Sequence, residues 1–314
     1  MVEHADGGSA YSASVGASVA CHDGLMGAGS ELRDWLDGVW SRTSVIQIVE
    51  GGEDAGPFPG RAVLAEIRDA ASVDLLRKLT TIGSFTGDIC RCPGGSTVVL
   101  RGAAGQLLAS ASIHAYGSVS WERSRFRNDL VVADPAGLHL FLAETGMPCA
   151  LGAFLAPLVD RLNLYEQRPQ FRPAGKAGWR YLVERGVPES LYPSLLTVTG
   201  QQAGELPAEQ VDDIRRRLIA AMPSAVDRAL VLLSWLGRLP VPAEALWGEG
   251  RLIRQLLADL SAPERAAAAS GAASADVAMG VVNMAMHGED DGTLAAAIGP
   301  TLRQLFPPSQ PAKP

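Results

Sequence analysis

The sequence is short of basic residues, with 27 Lys and Arg against 34 Asp and Glu and a formal net charge of −7. Phosphate binding needs clustered cations. The densest cluster, Arg215-Arg216-Arg217, stands just behind Asp212 and Asp213. Acids early and bases late along one helix suit the helix macrodipole, so no nucleic-acid partner is expected. Long apolar runs are missing as well. None approaches the ~20 residues that span a bilayer, and no membrane association is expected. The chain start has no basic stretch followed by an apolar core, so no secretory leader is expected. Cysteine is scarce, four residues in 314, which excludes a disulfide framework and suits a reducing, cytoplasmic setting. No Gly-x-Gly-x-x-Gly turn joins a strand to a helix, which excludes a Rossmann unit. Aromatic residues make up 6%. The tryptophans are dispersed, and Trp121 and Trp179 are expected to pack across a junction between two parts of the chain.

What is present is a stretch of short β-branched and apolar runs from Phe85 to Trp121, broken by Pro93-Gly94-Gly95, Ala103-Ala104-Gly105 and Gly117. That punctuation predicts an antiparallel β-meander. A three-residue loop at 103–105 pairs Gly102 with Gln106 and Val98 with Ser110, with Gly105 supplying the left-handed position. A similar loop at 93–95 pairs Cys92 with Ser96. Alternation then places Ile89, Val99, Leu107, Ala109, Ala111 and Ile113 on a core face. The opposite face carries Cys90, Cys92, Ser96, Ser110, Ser112 and His114, with Val98, Leu100 and Leu108 as exceptions.

Around the meander, 44–49 and 61–67 read as strands. Residues 70–82 read as a helix striped by Val73, Leu76 and Leu79, and Leu130-Val131-Val132 as a further strand. Asp134-Pro135 is a helix start that should run to Glu144. Strands mixed with helices in this order define an α+β domain over 30–147. Beyond Cys149 the pattern is helical throughout. Helices are expected at 151–165, 175–184, behind Pro207, from the Ser224 cap, behind the Ser261-x-x-Glu264 capping box, and at 274–287 and 293–306. This all-helical domain, 148–306, reads as a bundle or a HEAT-like stack. Residues 1–29, rich in Gly, Ala and polar groups, are expected to be a disordered tail, with Ser30 capping a helix to Trp40. Residues 307–314 are expected to be a flexible tail.

Cys90-x-Cys92 is the sharpest chemical signal. Two thiols on one strand face suit one soft metal and strain a disulfide. His114 shares that face, yet the meander puts its Cα about 12 Å from that of Cys92. Cys90 and Cys92 are therefore read first as structural, and a metal site or a reactive thiol assisted by His114 is the second reading. Asp88, Ser110 and Ser112 could extend a polar pocket. His287-Gly288-Glu289-Asp290-Asp291 reads as a linker at a helix end rather than a cation site. No cofactor is identified. The leading expectation is a non-catalytic interaction or regulatory protein with a protein or small-molecule partner. The alternative is an enzyme or metal–thiol protein using Cys90, Cys92 and His114 at a groove between the domains.

Overall fold

A computed structural model of the chain describes residues 22–115, 117–165, 175–197, 206–241, 248–290 and 292–308. Helix α1 (His22–Trp40) begins ahead of Ser30, so the expected N-cap is an interior residue and only 1–21 of the expected tail lies outside the described residues. The residues 309–314 also lie outside them.

The first part of the chain is α+β. After α1 come β1 (Val45–Glu50), β2 (Val63–Ile67), α2 (Ala70–Thr81), β3 (Gly83–Phe85), β4 (Ser96–Arg101), β5 (Leu107–Ile113), β6 (Ser118–Trp121), α3 (Arg123–Phe126), β7 (Asp129–Val132) and α4 (Pro135–Glu144). The strands form one seven-stranded sheet in the order β2-β1-β4-β5-β6-β7-β3, and every neighbouring pair is antiparallel. Local chemistry sets the helix starts. Asp69 accepts a hydrogen bond from Ser72 N, and Asp134 accepts one from Gly137 N ahead of Pro135 at the first helical position. Each cap satisfies a backbone donor that the helix itself leaves open.

The 103–105 loop forms as expected. Gly102 N donates to Gln106 O, and Gly105 takes φ 78. The register beyond it differs. Leu100 faces Ala109 but Arg101 faces Leu107, so Leu108 is a bulge, and Val98 faces Ala111 rather than Ser110. One extra residue inverts the parity of β4 relative to β5. Val98 and Leu100 are therefore core residues and not exceptions, and Leu107 is half exposed. Ile46, Ile48, Val98, Leu100, Ala109, Ala111, Ile113 and Trp121 pack with Leu32 and Leu36 of α1, Leu76 of α2 and Leu138 of α4. The opposite face holds Thr97, Val99, Ser110, Ser112, Ser120 and Asp129, placed there by the register of β4 to β7. It is a buried polar face, with Thr97, Ser112 and Ser120 at 0% exposure.

The second part of the chain is a run of helices. Residues 148–154 form a 3₁₀ turn leading into α5 (Leu155–Leu162), where one continuous helix was expected. Pro148 and Gly152 disfavour a regular α-helix there. Then follow α6 (Gly175–Glu184), α7 (Tyr192–Leu196), α8 (Ala208–Ala221) and α9 (Ala225–Gly237), and helices at Glu249–Ala258, Ala262–Gly271, Ala275–Met286 and Thr293–Leu305. The Ser261–Glu264 capping box is formed in both directions. The Asp212-Asp213/Arg215-Arg216-Arg217 segment is paired on one helix face, with Arg216 and Arg217 on Asp213 and Arg215 on Asp212 and Asp259. Helix α9 and the Ala275–Met286 helix cross at glycines: a Cβ on Gly280 would overlap the Leu233 carbonyl, and one on Gly237 the Asp276 carbonyl. Their side chains form a second apolar cluster with Leu151, Leu158, Ile253 and Ile298. Helix α4 belongs to both clusters, giving Leu138, Phe141 and Leu142 to the sheet and Leu140 and Ala143 to the helices.

Trp121 and Trp179 do not pack across the two parts. Trp121 packs edge-on against Trp40, with ring centroids 5.8 Å apart, inside the sheet cluster. Trp179 is 52% exposed and touches Tyr192. Among the described residues, no helix is long and apolar enough to cross a membrane.

Candidate metal centre

Cys90 and Cys92 are not on a strand. The chain from 86 to 95 is an irregular loop that folds back over the polar face of the sheet. It is fastened there by long-range bonds: Thr86 N to Asp129 O, Gly87 N to Asn128 Oδ1, Cys90 N to Asp129 Oδ2, and Gly95 N to Ile113 O. This overturns the expected separation of Cys92 from His114. Cys92 Sγ lies 3.1 Å from His114 Nδ1, and one ligand atom each from Cys90, Cys92 and His114 lie within 4.8 Å of one another. Cys90 Sγ accepts a hydrogen bond from Cys92 N at 3.4 Å. Both cysteines are exposed and unbridged, while His114 is 3% exposed.

The hydrogen bonds behind His114 decide its tautomer. Ser120 Oγ donates to Asp129 Oδ1. Having given its proton to the carboxylate, Ser120 Oγ accepts from His114 Nε2, 2.7 Å away. Nε2 therefore carries the ring proton, and the Nδ1 lone pair faces Cys92. Asp129 is fully used, with Oδ1 on Ser120 and Oδ2 on Cys90 N. A carboxylate fixing a histidine through its distal nitrogen is the usual support of a metal-bound imidazole.

Arg123 closes the loop from the other side. Its guanidinium donates to the Cys92 and Cys90 carbonyls and pairs with Asp54 at 3.0 Å. Glu122 and Arg127, on either side of α3, adopt left-handed backbone (φ 42 and 50), which costs a non-glycine residue on the order of 1 kcal/mol. Glu122 is held there by Ser110, whose N–H donates to its carboxylate. Next to this turn, Ser110 donates to Glu53, and Glu53 N donates to Ser112 Oγ at 2.8 Å. Burial raises the pKa of Glu53 against the lowering effect of Ser110 and Arg123 N. Ser110 and Ser112 thus belong to a neighbouring Glu53 cluster, and Asp88 meets the strands through its carbonyl, which accepts from Asp129 N.

The thiol and imidazole are tuned toward neutral forms. The hydrogen bond with Cys90, then burial, pushes the Cys92 thiol above its ordinary pKa. Burial depresses His114, with Asp129 opposing and Arg123 assisting. A thiolate–imidazolium pair, the resting form of a cysteine nucleophile, requires the reverse of both shifts. Two sulfurs and one neutral imidazole nitrogen instead form a soft donor set. Tetrahedral Zn²⁺ with such ligands needs donor atoms roughly 3.4–3.8 Å apart, a range bracketed by the 3.1 Å between Cys92 Sγ and His114 Nδ1 and the 4.8 Å within which all three donors lie.

The other segment weighed as a cation site has a structural role. Asp290 is buried and accepts from Leu294 N and Ala295 N at the start of the last helix. The groove expected between the two parts exists, and His114 lines it, but Cys90 and Cys92 do not. Ser120 and Asp129 were missed. The Ser-Val-Ser-Trp alternation of β6 was the one local signal for a polar sheet face.

No protein-family model, curated protein or solved structure matches this chain.

Proposed function

We propose that this is a soft-metal protein in which Cys90, Cys92 and His114 hold one Zn²⁺-type ion and leave a fourth coordination position open. The observation that carries the reading is the convergence of three donor atoms on one point, with His114 oriented by Ser120 and Asp129. Three protein ligands with an open position are the arrangement of sites that bind or activate a further molecule, whereas closed structural sites use four. A reducing cytoplasm, which keeps both thiols available, is part of the proposal. The interaction or regulatory role expected from the sequence is the reading that applies if the ion's fourth position serves a partner rather than a reaction.

The test is a titration of chelator-stripped protein with Zn²⁺ against a competing indicator, and with Co²⁺ followed by thiolate charge-transfer absorption. One equivalent should bind, and Cys90→Ser, Cys92→Ser and His114→Ala should each abolish the stoichiometric phase. Absence of uptake in the parent protein, or uptake unchanged in Cys92→Ser, overturns the proposal.

A further inference from the structure

The β4–β5 end of the sheet and the helical part enclose a cavity of about 1070 Å³. Its walls are apolar: Ile113, Leu142, Met147, Phe154, Val159 and Phe306 all line it. Leu64, Tyr165 and Met286 also line it while being 38%, 62% and 49% exposed. Large apolar side chains left in water around one opening mark a binding surface more often than chance exposure. The volume lies at the upper end for small-molecule sites, which are concave and mostly apolar with a few polar groups.

Those polar groups restrict the ligand. Among the described residues, no Lys or Arg lines the cavity, and the carboxylate there is Asp160. An anionic ligand would meet no counter-charge from these residues and would lose hydration against them without compensation. His139 stands in the wall at 6% exposure, and its Nε2 has no hydrogen-bond partner. The ring bonds the Ala115 backbone in the sense that favours a proton on histidine, so that partner is the carbonyl and Nδ1 carries the proton. Nε2 is then a buried lone pair that lacks a donor. Such a group costs stability until something donates to it.

We infer that this cavity is a second site, adjoining the cysteine cluster at His114, for an uncharged and largely aliphatic molecule carrying one hydroxyl group that donates to His139 Nε2. An amphiphile with a carboxylate head would find no cation among the described wall residues. The cavity shares His114 with the proposed metal site, but neither Cys90 nor Cys92 lines it, and the contact that selects the ligand is made by His139.

Cys149 supplies the readout, being exposed and part of the lining. Full-length protein is alkylated with iodoacetamide in the presence of 1-decanol, decane or decanoate, and modification is read at the Cys149 peptide by mass spectrometry. Decanol should protect Cys149 with about fivefold higher apparent affinity than decane, the worth of one net hydrogen bond, and decanoate should not protect. His139→Phe should remove the preference for decanol over decane while the protein still binds the alkane. Ala153→Trp, which fills the cavity from its wall, should remove protection by both. Equal protection by decanoate and decanol, no protection by any probe, or an unchanged alcohol preference in His139→Phe overturns the inference.

Discussion

Gly52 lies so close to the carbonyl of Pro93 that a Cβ at position 52 would overlap that oxygen. The contact joins the 51–56 loop to the loop that carries Cys90 and Cys92, and the obstacle is backbone that cannot rotate away. Gly52→Ala should therefore push the cysteine loop off the sheet without touching a ligand. Destabilisation of about 1–3 kcal/mol is expected for such overpacking, together with a fall in Zn²⁺ affinity of about tenfold or more. Urea unfolding and the indicator titration read the two effects separately.

Ser120 offers a test of the support behind the ligands. Ser120→Ala keeps all three donors but removes the group that fixes the His114 tautomer. Loss of such a second-layer partner costs about 10–100-fold in metal affinity. An affinity equal to that of the parent protein would mean that His114 is not a ligand through Nδ1.

The pH dependence of metal uptake follows from the pKa directions. His114 is depressed, so near pH 7 its ring is already neutral and releases no proton on binding. Cys92 is raised and must lose its proton to the metal. The logarithm of apparent Zn²⁺ affinity should rise between roughly pH 6.5 and 8 by about one per pH unit for each thiol proton released, the raised Cys92 supplying one. A slope near three would show that His114 is protonated in the free protein.

The same physics gives His139 a signature in stability. Burial pushes its pKa down to about 4, so the unfolded chain takes up a proton near pH 6.5 while the folded chain stays neutral. The stability owed to the neutral ring is complete above pH 6.5 and is lost as pH falls toward 4. By pH 5 the loss should be about 2 kcal/mol. Urea unfolding at pH 7 and pH 5 should show this excess loss in the parent protein and not in His139→Leu.

Glycines in helices divide by what surrounds them. Gly237 and Gly280 meet backbone carbonyls of the opposing helix, whereas a Cβ at Gly38 of α1 meets nothing within 4 Å. Gly280→Ala should destabilise by several kcal/mol, since neither helix backbone can give way. Gly38→Ala should stabilise by about 0.5–1 kcal/mol, the helix propensity difference. Thermal unfolding of the two variants should move in opposite directions.

Much of the fold is legible in local patterns. Period-two alternation finds β1 and β2. The Val73, Leu76 and Leu79 spacing finds α2, and Asp134-Pro135 and Ser261-x-x-Glu264 mark their helices within a residue. The candidate site is legible only as a set of residue types. Its geometry rests on two features that no local rule encodes. The bulge at Leu108 is a single unpaired residue chosen by the packing of both sheet faces. The path of the cysteine loop is set by Asn128 and Asp129, about forty residues further along. Regular alternation through 89–92 therefore assigns Cys90 and Cys92 to a strand that does not form, and separates from His114 a thiol that is in contact with it.

Helix α4 limits how the molecule can be divided. With Leu138, Phe141 and Leu142 in one apolar cluster and Leu140 and Ala143 in the other, any cut near Met147 leaves the C-terminal fragment with a hole where α4 lay. The N-terminal fragment would keep α4 with one bare greasy side. Co-expressed as separate polypeptides, the two fragments should recover only by finding each other, so that α4 turns a covalent linkage into an obligate complementation partner.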